Sequence, residues 1–303
     1  MATTDTKNVL LAGASGALGR HITAALTATG HTVLGLGRGA DADVTADLLD
    51  RDQLLRAVDG LTVDTVVHAA TALRRAPMRD RDMFATDDLR GIATAHLVDA
   101  ARVVGARRVI AESMVFGYGF GDFGDRVLTE ADEFAPRARG VVERHLSALR
   151  VKEELILGAD DFEGIALRFG LLYGEGGTDG VIDLLRTRKL PLVHDHGRVL
   201  PWLNLADAGR AVALAVTGGT PGEAYNIADD APLGFGAYLR AVIDTFDLPR
   251  PAAMPTWMLR PMTYAHRMLT TSMRVSTAKA KAELSWSPSY PTVQDGLDAL
   301  ALV

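Results

Sequence analysis

The sequence predicts an α/β protein whose parallel sheet is covered by helices on both faces. Short apolar segments of strand length alternate with longer segments in which apolar residues recur at helical spacing. Glycines cluster directly after the first apolar segment, where a strand would pass into a helix. Because parallel strands need long crossover connections, usually helices, this alternation favours a doubly wound sheet.

The elements can be followed in order along the first 170 residues. The apolar segments predicted as strands are 8–13, 31–37, 63–70, 107–113 and 164–170. The helix after the first strand ends before Gly30, and a long amphipathic helix is predicted over 83–105. After about residue 170, Gly- and Pro-rich connections become common. This change predicts a smaller, irregular second portion.

Composition limits the classes of protein that this chain can be. A net charge of −6 gives no basic surface for nucleic acid, and the absence of cysteine excludes disulfides and thiolate catalysis. No apolar segment approaches the ~18 residues that span a bilayer. The eight histidines show no metalloprotease-type spacing, so no metal site is predicted. We expect a soluble cytoplasmic protein, monomeric or homodimeric, with no nucleic-acid or membrane partner.

The segment GASGALGR, residues 13–20, joins the first predicted strand to the first helix. Gly13 would permit the tight turn, Gly16 would let the backbone approach a pyrophosphate, and Gly19 would allow close helix packing. The helix N-terminus would add unpaired N–H groups and positive potential. The segment therefore predicts dinucleotide binding, with contacts from Gly13, Ser15, Gly16, Ala17, Leu18, Gly19 and Arg20.

The end of the second strand predicts which dinucleotide binds. An acidic residue there would hydrogen-bond the ribose hydroxyls of NAD, whereas an arginine would accommodate the 2′-phosphate of NADP. The sequence has Arg38 at this point and no acidic residue before Asp41. Arg20, just after the third glycine, could supply a second positive charge. These residues predict NADP(H) as the cofactor.

Together these segments resemble the extended short-chain dehydrogenase/reductase family over nearly the whole chain. The resemblance is found in GASGALG, in TADLLD (45–50), in VDTVVHAAT (63–71), in LRFGLLYGEG (167–176), in PWLNLADAGRAVALAV (201–216), in YNIADD (225–230) and in the segment 276–297. It implies a Rossmann-like, NADP-binding domain formed by 1–171 with 199–229. A smaller C-terminal substrate-binding domain would comprise 172–198 with 230–303.

The resemblance also implies further contacts with the cofactor. An Asp-Leu pair would lie beside the adenine, and the His-Ala-Ala strand end would lie beside the dinucleotide. A lysine on a later helix would bind the nicotinamide ribose. The residues at these positions and on the segment after the sixth strand are Asp47, Leu48, Ala69, Ala70, Thr71, Lys152, Phe169 and Leu171.

The catalytic motif of the family is incomplete in this chain. The resemblance implies a Tyr-x-x-x-Lys pair, but Ala148 stands four residues before Lys152. The residues four positions before the other lysines are Thr3, Leu185, Val275 and Thr277. The family also has a Ser or Thr after the fifth strand. Ser113 is the nearby hydroxyl, although alignment on the following Val-Phe-Gly places Glu112 there instead.

Several groups could supply the proton that the missing tyrosine would donate. Tyr118 follows the fifth strand in a glycine-rich loop, and His145 lies on the same helical face as Lys152, about 10 Å along the axis. Ser113 could donate a hydrogen bond. The substrate could supply the acid itself if a phenol flanked its ketone. The candidate catalytic residues are therefore Ser113, Tyr118, His145 and Lys152.

We expect an atypical NADPH-dependent ketoreductase acting on a bulky, aromatic polycyclic natural product. Met, Trp and Tyr residues between 254 and 273 could form an apolar wall for a flat ligand. Relatives without the tyrosine include reductases of antibiotic-producing aromatic-polyketide pathways, of the angucyclinone type. The alternatives are a nucleotide-sugar epimerase or dehydratase of the same family and a non-catalytic NADP(H)-binding sensor.

Overall fold

The computed structural model of the protein describes residues 6–302. Its strands are β1 (Asn8–Ala12), β2 (Thr32–Gly37), β3 (Val44–Thr45), β4 (Thr65–His68), β5 (Arg108–Met114), β6 (Asp122–Leu128), β7 (Glu163–Phe169), β8 (Leu171–Tyr173), β9 (Leu192–Val193), β10 (Trp202–Asn204), β11 (Glu223–Ile227), β12 (Ala253–Met254) and β13 (Ser272–Val275). Its helices are α1 (Ala17–Ala28), α2 (Arg51–Val58), α3 (Phe84–Val103), α4 (Val141–Leu157), α5 (Asp179–Arg186), α6 (Leu205–Thr217), α7 (Phe235–Thr245), α8 (Thr263–Leu269), α9 (Ala278–Glu283) and α10 (Val293–Ala301).

The central sheet has seven parallel strands in the order β11-β7-β5-β4-β1-β2-β3. The order reverses direction at β1 and β4, which is the switch point where ligands bind in open α/β sheets. The predicted α/β class with a Rossmann-like parallel sheet is therefore confirmed. The five predicted strands are all present, each within one or two residues of its expected ends.

Helices cover both faces of this sheet. One core contains buried residues of α1 and α6 packed on β1, β5 and β7. A second core, on the other face, contains buried residues of α2 and α3. All four residues of β4 are buried, as expected for a strand covered on both faces, and this explains why its sequence has no polar alternation.

The C-terminal portion has its own apolar core. Residues of α7, α10, β8 and β10 contribute to it, and the ring centroids of Trp202 and Tyr238 stack 4.1 Å apart. The predicted boundaries of two domains stay a prediction. No helix within residues 6–302 is both long enough and apolar enough to cross a membrane.

The helix α8 attaches this C-terminal portion to the segment that precedes α3. The backbone N–H groups of Tyr264 and Ala265 donate to the carbonyl of Met78, at 3.2 and 3.1 Å. Arg267 Nη1 pairs with Asp80 at 2.5 Å. Because the first two contacts use the main chain of α8, they do not depend on the side chains of Tyr264 and Ala265.

Candidate functional site

The glycine loop between β1 and α1 is closed tightly against the end of β4. Gly13 has φ of +95°, and a Cβ there would lie 2.8 Å from the carbonyl oxygen of Ala69. A Cβ at Gly19 would overlap the carbonyl oxygen of Gly13. These positions therefore require glycine. The loop thus brings the predicted cofactor residues of 13–19 and 69–70 together at the switch point of the sheet.

The N-terminus of α1 is shaped to receive an anion. Gly16 is the N-cap and provides no side-chain cap, and the first turn contains no acidic residue. The helix therefore directs positive potential and N–H groups toward the loop. Arg20 Nη1 donates to the carbonyl of Ser15 at 3.1 Å, which places the guanidinium beside the same loop. These residues fit the pyrophosphate of a dinucleotide.

A cavity of about 430 Å³ lies between α1 and β2, where the predicted adenosine end would lie. Arg20, Asp41 and Asp43 are among its lining residues. Asp43 Oδ2 accepts a hydrogen bond from the backbone N–H of Gly35 at 2.7 Å. Arg38 is exposed just after β2. Groups that favour a phosphate and groups that favour free ribose hydroxyls are therefore both present at this end.

The other predicted cofactor residues lie along the same edge of the sheet. Leu48 is buried just after β3, and Asp47 Oδ1 accepts from the backbone N–H of Leu49 at 3.0 Å. Thr71 Oγ1 is 3.3 Å from Thr86 Oγ1. Phe169 is the buried last residue of β7, and Leu171 begins β8. Their contacts with a cofactor stay a prediction.

Lys152, on α4, lies in a buried cluster at the ends of β4 and β5. Its side chain is fully buried, and Nζ lies 3.3 Å from Glu112 Oε2 and 3.5 Å from the carbonyl of His68. Arg90 Nη2 pairs with the other oxygen of Glu112 at 3.4 Å. Burial lowers the pKa of Lys152 to about 8, against the opposing effect of Glu112. The Glu112 carboxylate thus forms ion pairs with two buried cations, Lys152 and Arg90.

Two features beside Lys152 differ from the pattern that the family resemblance implies. Ala148 is buried one helical turn before Lys152 and has no proton to donate. Glu112, rather than Ser113, is the residue of β5 that contacts Lys152. Successive residues of a strand point to opposite sides, so only one of these two can face the lysine. The alternative placement of Glu112 at the hydroxyl position therefore agrees with the geometry.

Ser113 and Tyr118 belong to a different buried network. Ser113 Oγ donates to Glu153 Oε1 at 2.6 Å, and Glu153 forms an ion pair with Arg168 at 2.7 Å. Arg168 also donates to the Tyr118 hydroxyl, which donates to Asn226 Oδ1, both at 2.8 Å. Burial raises the pKa of Tyr118 to about 12. Ser113 and Tyr118 thus each donate their single hydroxyl proton to a partner within this network.

His145 lies between two carboxylates. Its Nδ1 is 2.7 Å from Asp87 Oδ2, and its Nε2 is 3.3 Å from Asp80 Oδ1. Its ring meets that of Tyr264 edge to face, with centroids 5.5 Å apart. Since Asp80 also binds Arg267 of α8, His145 helps to fasten the C-terminal portion to α3 and α4.

Sequence reasoning did not identify Asp87, Arg90 or Tyr264 as site residues. Asp87 and Arg90 could have been found, because they are charged residues on the buried face of a long amphipathic helix. For Tyr264, the composition of its segment predicts only a place in an apolar wall. The other residues of that segment differ in exposure: Trp257 is 62% exposed, whereas Met273 is fully buried.

The sheet, the glycine loop and the helix N-terminus define a dinucleotide-binding α/β protein. Residues 9–228 match the model of the NAD dependent epimerase/dehydratase family. The chain is 35% identical to a 3-diazoavenalumate denitrifying reductase from Streptomyces sp., over 95% of this chain and 98% of the relative. It belongs to the NAD dependent epimerase/dehydratase family, which confirms the family predicted from the sequence.

A second relative and a solved structure agree with this assignment. The chain is 26% identical to the 4-hydroxy-2-methyl-3-oxo-4-farnesyl-3,4-dihydroquinoline-1-oxide ketoreductase of Stigmatella aurantiaca, over 95% of this chain and 94% of the relative. The structure of the human epimerase family protein SDR39U1 with NADPH has the same fold, with a TM-score of 0.80, 16% identity and coverage of 97% and 99% of the two chains. Family membership and the names of the two relatives support an oxidoreductase with a nicotinamide cofactor.

Proposed function

We propose that the protein is an NADP(H)-dependent reductase that delivers hydride to a diazo group on an aromatic natural product. The observation that supports this choice is the environment of Lys152. Ala148 replaces the tyrosine of the family motif, and a carboxylate paired with two cations replaces the hydroxyl. The site therefore lacks the two donors that serve ketone reduction in the family.

The kind of acceptor follows from this lack of donors. Hydride transfer to a ketone leaves an alkoxide, and a positioned acid typically contributes about 10²–10⁴-fold to such a step. An ionised carboxylate accepts hydrogen bonds and donates none, so Glu112 would oppose an alkoxide beside it. Hydride transfer to an aryl diazonium neutralises a cation instead. No oxyanion forms, so the acceptor atom needs no proton.

The proposed reaction balances without a further reagent. Reduced nicotinamide supplies the hydride, which bonds to the terminal nitrogen of the diazonium. The resulting aryl diazene loses N₂ as its N–H hydrogen passes to the ring carbon. The similarity to a denitrifying reductase, over 95% of this chain, supports this chemistry. The protein's task is to hold the two reactants in contact and to exclude water.

We assign the residues as follows. Lys152 binds the ribose of the nicotinamide, and Glu112 and Arg90 fix the position of its ammonium group. Ser113 and Tyr118 act through their buried network: Ser113 bonds Glu153 directly and Tyr118 bonds it through Arg168, so both help to hold the residue that follows Lys152 on α4. His145 fixes α8. In this proposal Ser113, Tyr118 and His145 therefore position other residues and do not donate a proton to the substrate.

The test uses purified protein, NADPH and 3-diazoavenalumate, with a protein-free control for spontaneous reduction by NADPH. We expect N₂ and oxidised cofactor in equal amounts and a protein-dependent rate. An aromatic ketone panel is assayed in parallel. Reduction of a ketone with no loss of N₂ from the diazo compound would contradict the proposal and favour the second candidate.

The second candidate is the predicted ketoreductase acting on a bulky aromatic ketone, as in aromatic-polyketide antibiotic biosynthesis. The similarity to the Stigmatella ketoreductase supports it. The ammonium group of Lys152, whose pKa burial lowers to about 8, or a phenol on the substrate would then supply the proton. An epimerase and a non-catalytic sensor have less support, since the two relatives described above are named as reductases.

The preference for NADP over NAD is tested at Arg38. We expect Arg38→Ala to lower the affinity for NADPH about tenfold and to leave the affinity for NADH unchanged, because a cation beside a phosphate contributes roughly 1–3 kcal/mol. Fluorescence titration of both cofactors measures this preference. The control is Arg56→Ala, another exposed arginine, on α2. Tighter binding of NADH than of NADPH by the unaltered protein would contradict the prediction and would instead indicate that Asp41 or Asp43 selects NAD.

A further inference from the structure

The face of α3 that meets α4 contains two buried charges with unused hydrogen-bonding capacity. Asp87 and Arg90 lie one turn apart and are only 3% and 8% exposed. One oxygen of Asp87 binds His145, and one nitrogen of Arg90 binds Glu112. Asp87 Oδ1 and Arg90 Nε are buried and have no hydrogen-bond partner within the described residues. Leaving such groups unpaired costs free energy, so two on one helix face suggest a ligand.

Tyr264 of α8 provides a third polar group, next to His145, the side chain that binds Asp87. Its ring is edge-on to His145, and its centroid lies 6.1 Å from that of Phe120. The hydroxyl makes no hydrogen bond with any residue in 6–302. Burial raises the pKa of Tyr264 to about 12, with Arg90 opposing and Asp87 reinforcing the shift. The phenol is therefore protonated at neutral pH and feels the charges of both α3 residues.

The three groups together select one kind of ligand atom. Arg90 Nε offers an N–H donor, Asp87 Oδ1 is an acceptor, and the Tyr264 hydroxyl can donate or accept. A ligand hydroxyl can give its proton to the carboxylate and accept from the donors. A ligand carboxylate would be repelled by Asp87, and an apolar ring edge would leave all three groups unpaired.

We propose that Asp87, Arg90 and Tyr264 form a subsite that binds a hydroxyl group on the aromatic ring of the substrate. Arg90 also binds Glu112, which contacts Lys152, so the subsite is linked through Glu112 to the lysine that we assign to the nicotinamide ribose. Binding the ring hydroxyl there fixes which ring position faces the cofactor. The ligand class rests on the proposed function, since it assumes that an aromatic substrate occupies this site.

The test measures binding rather than turnover. Calorimetry compares 4-hydroxycinnamate, cinnamate and 4-methoxycinnamate with the NADP⁺-loaded protein. We expect the hydroxylated acid to bind about tenfold more tightly than either analogue, as one to two hydrogen bonds imply. In Tyr264→Phe this preference should fall severalfold while the affinity for cinnamate is unchanged. The matched control is Tyr238→Phe, a buried tyrosine in the C-terminal core that bonds Thr178.

Equal affinity of the unaltered protein for all three acids would overturn the subsite. So would a Tyr264→Phe variant that weakens all three acids equally. If that variant does not fold, the comparison of the three acids with the unaltered protein still decides the matter. A clear preference for the hydroxylated acid without any reductase activity would retain the subsite and reject the proposed function. Loss of N₂ from the diazo compound without such a preference would retain the proposed function and reject the subsite.

Discussion

Replacing Lys152 with methionine is expected to raise the dissociation constant of NADPH at least tenfold and to lower the reduction rate about 100-fold. Methionine fills a similar volume but removes the ammonium group that lies between Glu112 and the carbonyl of His68. One ionic hydrogen bond to the ribose is worth roughly 1.5–3 kcal/mol, and misplacement of the nicotinamide adds to the loss. Fluorescence titration gives the first value, and single-turnover absorbance gives the second.

The control for this variant is Lys189→Met, an exposed lysine after α5. The pH dependence gives a second readout. Because the pKa of Lys152 is lowered to about 8, the ammonium group is present below that pH and is lost as the pH rises through it. The affinity of the unaltered protein should therefore fall above pH 8, and Lys152→Met should show no such fall. A methionine variant with unchanged affinity for NADPH would show that Lys152 does not bind the cofactor.

Replacing Glu112 with alanine is expected to lower the free energy of unfolding by about 3–5 kcal/mol. The carboxylate is the partner of both Lys152 and Arg90, and its removal leaves two buried cations uncompensated. Glu112→Gln retains an acceptor and the side-chain volume, so its loss should be smaller. Denaturant unfolding followed by circular dichroism measures the change for both variants.

A double variant separates charge from packing in this prediction. Removing Lys152 as well as Glu112 eliminates one of the two unpaired cations, so Glu112→Ala with Lys152→Met should be more stable than the sum of the single changes implies. Strict additivity of the two losses would mean that the Glu112 and Lys152 side chains are not coupled. That result would remove the basis for assigning Glu112 the role of fixing Lys152.

The sequence was sufficient to predict the sheet and the cofactor loop because their signals are local. Glycine spacing between a strand and a helix identified the turn at 13–19, and short apolar segments identified the strands. The gap at Ala148 was also visible, since a catalytic tyrosine must stand four residues before its lysine. Each of these features depends on residues that are close together in the chain.

The contacts of the candidate site could not be predicted in the same way. Which of Glu112 and Ser113 faces Lys152 depends on the side of the strand on which each lies, and one position of register reverses the answer. The pairing of Arg90 with Glu112 joins a helix to a strand end 22 residues apart. Tyr264 reaches the site from a distant segment whose composition indicated only an apolar surface.

The attachment of α8 through the main chain of its first turn has a consequence for divergence within the family. The N–H groups of Tyr264 and Ala265 that bind the carbonyl of Met78 are present with every residue type except proline at those positions. Mutations in the neighbouring exposed residues, such as Trp257 and Met262, can therefore accumulate without removing the contact of the helix with Met78. We therefore expect sequences of this family to differ more at these exposed positions than at Gly13 and Gly19, whose replacement the loop does not permit.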